Sequence, residues 1–377
     1  MKRLVVISHT EHYTRPDGTL VGHGATVTEI NHLLALFDEV THLAMWHDDP
    51  APASALPYAS SRIRFVALPT VGGPRWQDKW DILRKAPRTL RLVRRYVRSA
   101  DCFQFRAPTG IGVYVVPYLM TFSVPGWFKY AGNWKQKHAP PAYRFQRFLL
   151  KHQGRKVTLN GQWDDMPGQG LAFENPCLTA AELEQGTVCV ANKRLEPEAL
   201  EFCFAGRLEA AKGIDLLLEA FEKLSGSEKQ KIRHIHIVGE GAQRAAYESR
   251  AQQSGLPFVF HGLLSRPALH ELYQRAHFFI LPSASEGFPK VVSEAMNYGC
   301  IPVVSDVSSL RHYIRDGHNG FLLHTLHPAT VEAALHKLLQ LTPEAYALLL
   351  EAVREGIVRF SYAYYNRRIA EDILAGF

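Results

Sequence analysis

Cysteine is scarce and unpatterned in this chain. Its 377 residues include five, Cys102, Cys177, Cys189, Cys203 and Cys300, with no Cys-x-x-Cys pair. An odd, scattered set argues against a disulfide framework and a cysteine-built zinc site, and points to a reducing compartment, so a cytoplasmic location is expected. The chain also lacks internal repeats and low-complexity tracts. No secretory signal is expected, because the apolar run Leu4–Ile7 after Met1-Lys2-Arg3 is far too short for one. Charge is missing from one stretch: nothing between Arg106 and Lys129 carries any. That length approaches a membrane span, yet Pro108, Pro117, Pro125 and the glycines at 110, 112 and 126 punctuate it where a soluble fold turns. A buried helix followed by a buried strand is expected there. Acid is the minority charge, 36 Asp plus Glu against 43 Lys plus Arg, for a net +7. That balance suits an anionic partner, whether a phosphate ligand, an anionic membrane surface or nucleic acid. No nucleic-acid binding motif is present, so nucleic acid is not expected.

What is present in quantity is apolar: 46% of residues are hydrophobic and only 21% charged, which excludes a disordered or fibrous chain. The length predicts about two domains. Continuous apolar runs at Leu4–Ser8, Val40–Met45, Ile63–Leu68, Cys102–Phe105, Trp127–Tyr130 and Val157–Leu159 read as strands buried on both faces. A second set follows at Phe202–Ala205, His234–Val238, Phe258–Phe260, Phe278–Leu281 and Ile301–Ser305. Helical patterns such as Thr26–Leu36, Asp215–Leu224, Pro267–Ala276 and Val291–Tyr298 lie between them. The alternation predicts an α/β protein with two doubly wound parallel sheets, divided near Glu196–Glu201.

The second half holds the sharper chemistry. Strand Phe202–Ala205 runs into Gly206-Arg207-Leu208, then Lys212-Gly213 and a helix. A strand, a glycine turn and a helix N-terminus make an anion site, with Arg207 and Lys212 as fixed cations, although a turn with two solvated basic side chains reads equally well. A second strand-to-glycine turn is Val238-Gly239-Glu240-Gly241. The third feature is Ser285-Glu286-Gly287-Phe288-Pro289-Lys290, with Glu294 on the helix that follows. Carboxylates grip sugar and ribose hydroxyls by accepting hydrogen bonds, and helix N–H groups suit negative oxygens. A capping acid at 286 and a solvated acid at 294 would be the unremarkable alternative.

In order and spacing, Gly206-Arg207-Leu208, Lys212-Gly213, the glycine turn at 239–241, Glu286-x7-Glu294 and Asn319-Gly320-Phe321-Leu322 resemble glycosyltransferase family 4, strongly over 196–325 and weakly before it. The resemblance implies a retaining, metal-independent transferase of the GT-B fold, two Rossmann-like domains with a cleft between them. The domains would be 1–195 for the acceptor and 196–355 for the donor, with a C-terminal helix, 356–377, crossing back to the first. It implies a nucleotide-sugar donor, a UDP-sugar above others, and no cofactor. The acceptor would be a saccharide or a lipid-linked molecule, in cell-surface polysaccharide or glycolipid synthesis. Arg207 and Lys212 would hold the diphosphate, Glu286 with the backbone of Gly287 and Phe288 the transferred sugar, Glu294 the ribose, and the backbone at Phe260–Gly262 the base, with Pro289 also on the donor side. Gly206, Gly239 and Gly241 would line the donor. In the first domain, Gly22-His23-Gly24 before a helix is the candidate phosphate-facing loop, after a long loop from Thr10 to Leu20. Where many members carry a histidine, this chain has Lys129-Tyr130-Ala131-Gly132-Asn133, so His23, Lys129 and Asn133 are the acceptor-side candidates. A nucleotide-sugar epimerase, a phosphorylase and a non-catalytic nucleotide-sugar-binding subunit are the alternatives.

Two further patterns belong to the first half. All six tryptophans, Trp46, Trp76, Trp80, Trp127, Trp134 and Trp163, lie there, available to stack on sugars or to pack a core. Lys79–Arg98 is a basic amphipathic stretch, suited to peripheral contact with an anionic membrane or simply to a solvated helix, with Pro87 interrupting it. His234 and His236 share a strand face, but no third ligand is evident, so no metal is expected.

Overall fold

A computed structural model describes residues 1–73, 76–136 and 138–377. The side chains of 76–79, among them the Trp76 and Lys79 of the patterns above, lie outside the described residues. The chain divides into two compact units, Met1–Pro176 with Tyr362–Phe377, and Cys177–Ser361.

In the first unit the strands are β1 (Arg3–Thr14), β2 (Leu20–His23), β3 (Glu39–Trp46), β4 (Ala55–Pro57), β5 (Ile63–Leu68), β6 (Cys102–Ala107), β7 (Gly126–Tyr130), β8 (Val157–Leu159) and β9 (Gly170–Ala172). A parallel sheet runs β5-β3-β1-β6-β7-β8-β9. Its strands are the continuous apolar runs, and their side chains fill cores on both faces. The uncharged stretch after Arg106 forms the helix Gly112–Met120 and the buried strand β7, as its breakers predict. Among the described residues no helix is long and apolar enough to cross a membrane.

The expected long loop from Thr10 to Leu20 is instead a β-hairpin. Strand β1 continues to Thr14, turns, and pairs antiparallel with β2, which pairs in turn with β4. The Gly22–Gly24 segment is therefore strand running directly into the helix Gly24–Leu33.

In the second unit the strands are β10 (Leu200–Ala205), β11 (Ile232–Val238), β12 (Phe258–Gly262), β13 (Phe278–Leu281), β14 (Ile301–Ser305) and β15 (Phe321–Leu323), in the parallel order β12-β11-β10-β13-β14-β15. One large core lies on the sheet's two faces.

The division falls at Pro176/Cys177, not at 195/196, because the helix Ala180–Asn192 packs Leu183, Cys189 and Val190 on the second core. Thr179 and Glu182 form a reciprocal capping box that starts this helix. The return to the first unit falls at Ser361/Tyr362, later than 355/356, because Ile357 and Phe360 still belong to the second core. Tyr365, Ile369 and Ile373 then pack against Leu4, Val6 and Trp127 of the first unit.

Candidate functional site

Strand order reverses between β1 and β6 in the first sheet and between β10 and β13 in the second. In doubly wound sheets, ligands bind beyond the carboxyl ends of the strands at that reversal. Both positions carry polar side chains here.

In the second unit, β10 leads to Lys212 and β13 leads to Glu286. Lys212 Nζ lies 2.6 Å from Glu286 Oε1, with the two side chains 19% and 9% exposed. The loop after β13 clasps the turn after β10: the Ala284 N–H donates to the Ala211 carbonyl at 2.9 Å, and Ser283 Oγ donates to the same oxygen. Gly213 sits at φ 77° against the Pro282 carbonyl, where any Cβ would overlap it. The sequence separation of 74 residues is thus closed by backbone contacts that only glycine permits.

The other expected donor residues fall into groups. Arg207 is 76% exposed and pairs with Glu209 at 3.0 Å. The turns after β10, β11 and β12 are zipped together: Gly206 N–H donates to Val238, Leu208 to Glu240, and Gly239 to Gly262. A Cβ at Gly239 would overlap the Gly206 carbonyl, and one at Gly241 the Leu208 carbonyl. Those two glycines are required by backbone packing, whereas a Cβ at Gly206 would meet only ordinary contacts, 3.6 Å and beyond. Pro289 stands at the N-cap of the helix Lys290–Asn297, and Gly287 accepts a hydrogen bond from Ser309 Oγ on its carbonyl. Phe288 is buried and stacks on Phe360. Glu286 is paired with Lys212 and does not act as the helix cap.

Glu294 is not a solvated acid either. It is buried, and Oε1 accepts from Arg266 Nη1 at 2.5 Å. Arg266 also grips Glu182 at 2.7 Å and the Cys177 carbonyl. Burial opposes the charge on Arg266, but Glu294 and Glu182 outweigh it and raise its pKa above the ordinary value. Sequence reading missed Arg266; the visible signal was Ser265 ahead of Pro267, an N-cap that fixes where this helix starts.

In the first unit, a pocket of about 600 Å³ opens at the β1/β6 reversal, lined by Ser8, His9, Glu11, His23 and Arg106 among others. His23 thus lies at the pocket, as do Ala131 and Gly132, the neighbours of Asn133. Asn133 itself accepts from the Lys135 N–H at 3.0 Å. Lys129 is buried, 2.5 Å from Glu29 Oε1 and over the Tyr365 ring, so its ammonium is engaged with the helix Gly24–Leu33 and the C-terminal segment. Gly22 is held by the His12 ring and Gly24 by the Ser54 carbonyl, each too close for a Cβ. The segment is strand and helix start rather than a loop.

Behind the pocket runs a buried chain that no local pattern announces. His12 Nδ1 lies 3.1 Å from the Thr10 carbonyl, so it carries the proton and His12 Nε2 accepts from Tyr58 Oη at 2.8 Å. Tyr58 then accepts from His42 Nδ1 at 2.6 Å, and His42 Nε2 lies 2.8 Å from Ser8 Oγ. Burial keeps both rings neutral, with His12 pushed down to about 4 and His42 lowered well below its usual value. Ser8, on the pocket wall, also donates to Thr10 Oγ1 at 2.8 Å, so its hydroxyl joins the buried chain to the strand's own turn.

The tryptophans split between roles. Trp127 and Trp134 are core residues, while Trp46 and Trp80 are exposed. Trp80 and Leu83 stand out beside Arg84, Arg88, Arg91, Arg94 and Arg95, all exposed, on the helices Trp76–Arg84 and Ala86–Val97, with exposed Arg98 at the C-cap of the second.

Comparison with known proteins gives the setting. Residues 191–354 match the family model described as Glycosyl transferases group 1, a stretch inside the second unit. Granule-bound starch synthase 1 of Arabidopsis thaliana is 32% identical over 120 residues, 31% of this chain and 19% of that protein. The D-inositol 3-phosphate glycosyltransferase of Streptomyces bingchenggensis is 31% identical over 154 residues, 38% of this chain and 34% of that protein. The matched stretch thus spans only about a fifth to a third of these relatives. Likeness to solved structures extends over the whole chain. Sucrose-phosphate synthase from Thermosynechococcus elongatus superposes with a TM-score of 0.73 at 17% identity, covering 100% of both chains. Anabaena HepE, in complex with UDP and glucose, gives 0.70 at 13% identity, again covering 100% of both. The fold is therefore the expected two-unit parallel-sheet α/β class, GT-B.

Proposed function

We propose that this chain is a retaining glycosyltransferase that moves a sugar from a nucleotide diphosphate sugar to a saccharide or lipid-linked acceptor, without a metal ion or cofactor in the transfer. The observation that carries the proposal is the Lys212–Glu286 pair at the β10/β13 reversal, inside the stretch matched by the glycosyl transferase model. Lys212 meets the donor diphosphate and stabilises the charge that grows as the glycosyl–phosphate bond breaks, with Arg207 swinging in from its exposed position. Glu286 accepts hydrogen bonds from the transferred sugar. Glu294 keeps one oxygen on Arg266 and offers the other to the ribose, so Arg266 positions it. The first-unit pocket takes the acceptor, with Ser8 and His23 on its wall. UDP is the favoured nucleotide, since HepE, alike in fold, is known in complex with it.

A cytoplasmic protein touching an anionic membrane surface through Trp80, Leu83 and the exposed arginines fits a lipid-linked acceptor in polysaccharide or glycolipid synthesis. Vesicles rich in anionic lipid should retain the protein, and changing Arg91, Arg94 and Arg95 to Glu should release it.

The testing experiment incubates purified protein with UDP-, GDP- and ADP-sugars and measures nucleotide release, with and without a saccharide acceptor. Transfer or donor hydrolysis that falls by about 10²–10³ in Lys212→Ala is the expected result. No turnover with any donor, together with no nucleotide binding, refutes the reading.

A further inference from the structure

The second sheet carries metal-ligating side chains at a place no donor or acceptor role uses. His234 and His236 stand on one face of β11, and Glu201 stands beside them on β10, in register with His234. The third ligand that sequence reading failed to find is this glutamate, hidden because it lies on the neighbouring strand. Its Oε2 is 3.1 Å from His236 Nε2, and its Oε1 is 3.8 Å from His234 Nδ1. One ligand atom from each of the three residues lies within 4.8 Å of the others. In a tetrahedral zinc site with bonds of ~2.0–2.2 Å, ligand atoms stand roughly 3.4 Å apart. The three side chains are thus within small rotations of gathering around one ion.

A neighbouring strand supplies the support such sites use. His236 Nδ1 lies 3.0 Å from His261 Nε2 on β12. With Nδ1–H donating to His261, His236 Nε2 presents its lone pair to the ion, the arrangement by which outer partners fix a ligating ring. His236 and Glu201 are buried, while the His234 side chain is 45% exposed and leaves an entry path and room for a water as fourth ligand. Two histidines and a carboxylate suit zinc and its divalent neighbours better than magnesium or calcium.

We infer that Glu201, His234 and His236 bind one divalent transition-metal ion of the zinc class, with His261 orienting His236. The ion would clamp β10 to β11, and through His261 reach β12. It does not enter the transfer chemistry: Glu201 is the second residue of β10, five residues before Gly206, roughly 16 Å away at ~3.3 Å per residue. The inference stands whether or not the chain is a glycosyltransferase.

The test uses the untagged full chain, dialysed against a chelator, and calorimetric titration with ZnCl2. Co2+ serves as a second probe, because its visible absorption reports low-coordinate nitrogen and oxygen ligation. One ion per chain is expected, with affinity falling about 100-fold in Glu201→Gln and in His234→Ala, and about 10-fold in His261→Ala. His234→Ala is the deciding variant because its side chain is half exposed and its loss leaves no core cavity. His236→Ala, where it folds, should abolish the cobalt spectrum. The inference is overturned by zinc failing to bind at about 100 μM, ~5.5 kcal/mol on the affinity scale, or by stoichiometric binding that survives both His234→Ala and Glu201→Gln.

Discussion

Glu286 holds Lys212, and a donor diphosphate must share that lysine with it. A phosphate oxygen touching Nζ from the far side stands ~5 Å from the carboxylate, two charge-assisted contacts of ~2.7 Å laid end to end. At an effective dielectric of ~20, unit charges at that separation repel by about 3 kcal/mol. Water reaching the 19%-exposed lysine and physiological salt reduce this to roughly half, leaving about 1.5 kcal/mol, or about tenfold in affinity. Glu286→Gln should therefore bind free UDP about tenfold more tightly than the unaltered protein, while sugar transfer falls because the sugar meets a neutral amide in place of a charged carboxylate. Lys212→Ala should do the reverse to UDP and also lower turnover. Calorimetric titration of UDP into both variants, repeated at about 0.5 M salt where the gain should shrink, reads this directly. A folded Glu286→Gln protein that binds UDP no more tightly, or more weakly, refutes the shared-lysine geometry.

Other outcomes follow from the buried networks. Arg266→Ala leaves the buried Glu294 without its arginine and should lower the stability of the second unit by about 1–3 kcal/mol in urea unfolding, since the 40%-exposed guanidinium is partly screened by water, while Arg266→Lys should recover part of it. Tyr58→Phe removes the partner of both His12 and His42 and should cost about 2 kcal/mol or more, seen as a lower melting temperature. Burial pushes His12 and His277 down to about 4, so the unfolded chain binds their protons first as pH falls. Stability is then whole above pH ~6.5 and falls toward pH ~4, by about 2 kcal/mol per histidine at pH ~5. Calorimetric melts at several pH values should show the slope, and His277→Gln should flatten it in the second unit.

The strands legible in the sequence were those whose signal is local. Ile63–Leu68, Phe278–Leu281 and Ile301–Ser305 are apolar runs bounded by breakers, and each forms with the expected limits. Strands β2, β4 and β9 were illegible because they are short and partly exposed and owe their existence to partners. Gly22 reads as a loop residue, yet the His12 ring demands a glycine inside a strand. The motif glutamates were visible, but their surroundings were not. Nothing near Glu294 announces Arg266 on a preceding helix, and nothing near Lys129 announces Glu29, 100 residues away. A lysine inside an apolar strand reads as a cation reaching for solvent until the helix Gly24–Leu33 brings an acid against it.

The return of Tyr362–Phe377 to the first unit sets an order of events at synthesis. Ile369, Ile373 and Tyr365 complete the core around Leu4, Val6 and Trp127, and Tyr365 covers Lys129. The second unit is continuous in sequence and can close as soon as its own last strand and helices emerge. The first unit, begun earlier, stays open on one face for the whole of that interval, about 10–40 s at ~5–20 residues per second. Its exposed apolar face is then the nascent chain's point of danger, and a ribosome-stalled or truncated product would aggregate through the first unit while the second is already native.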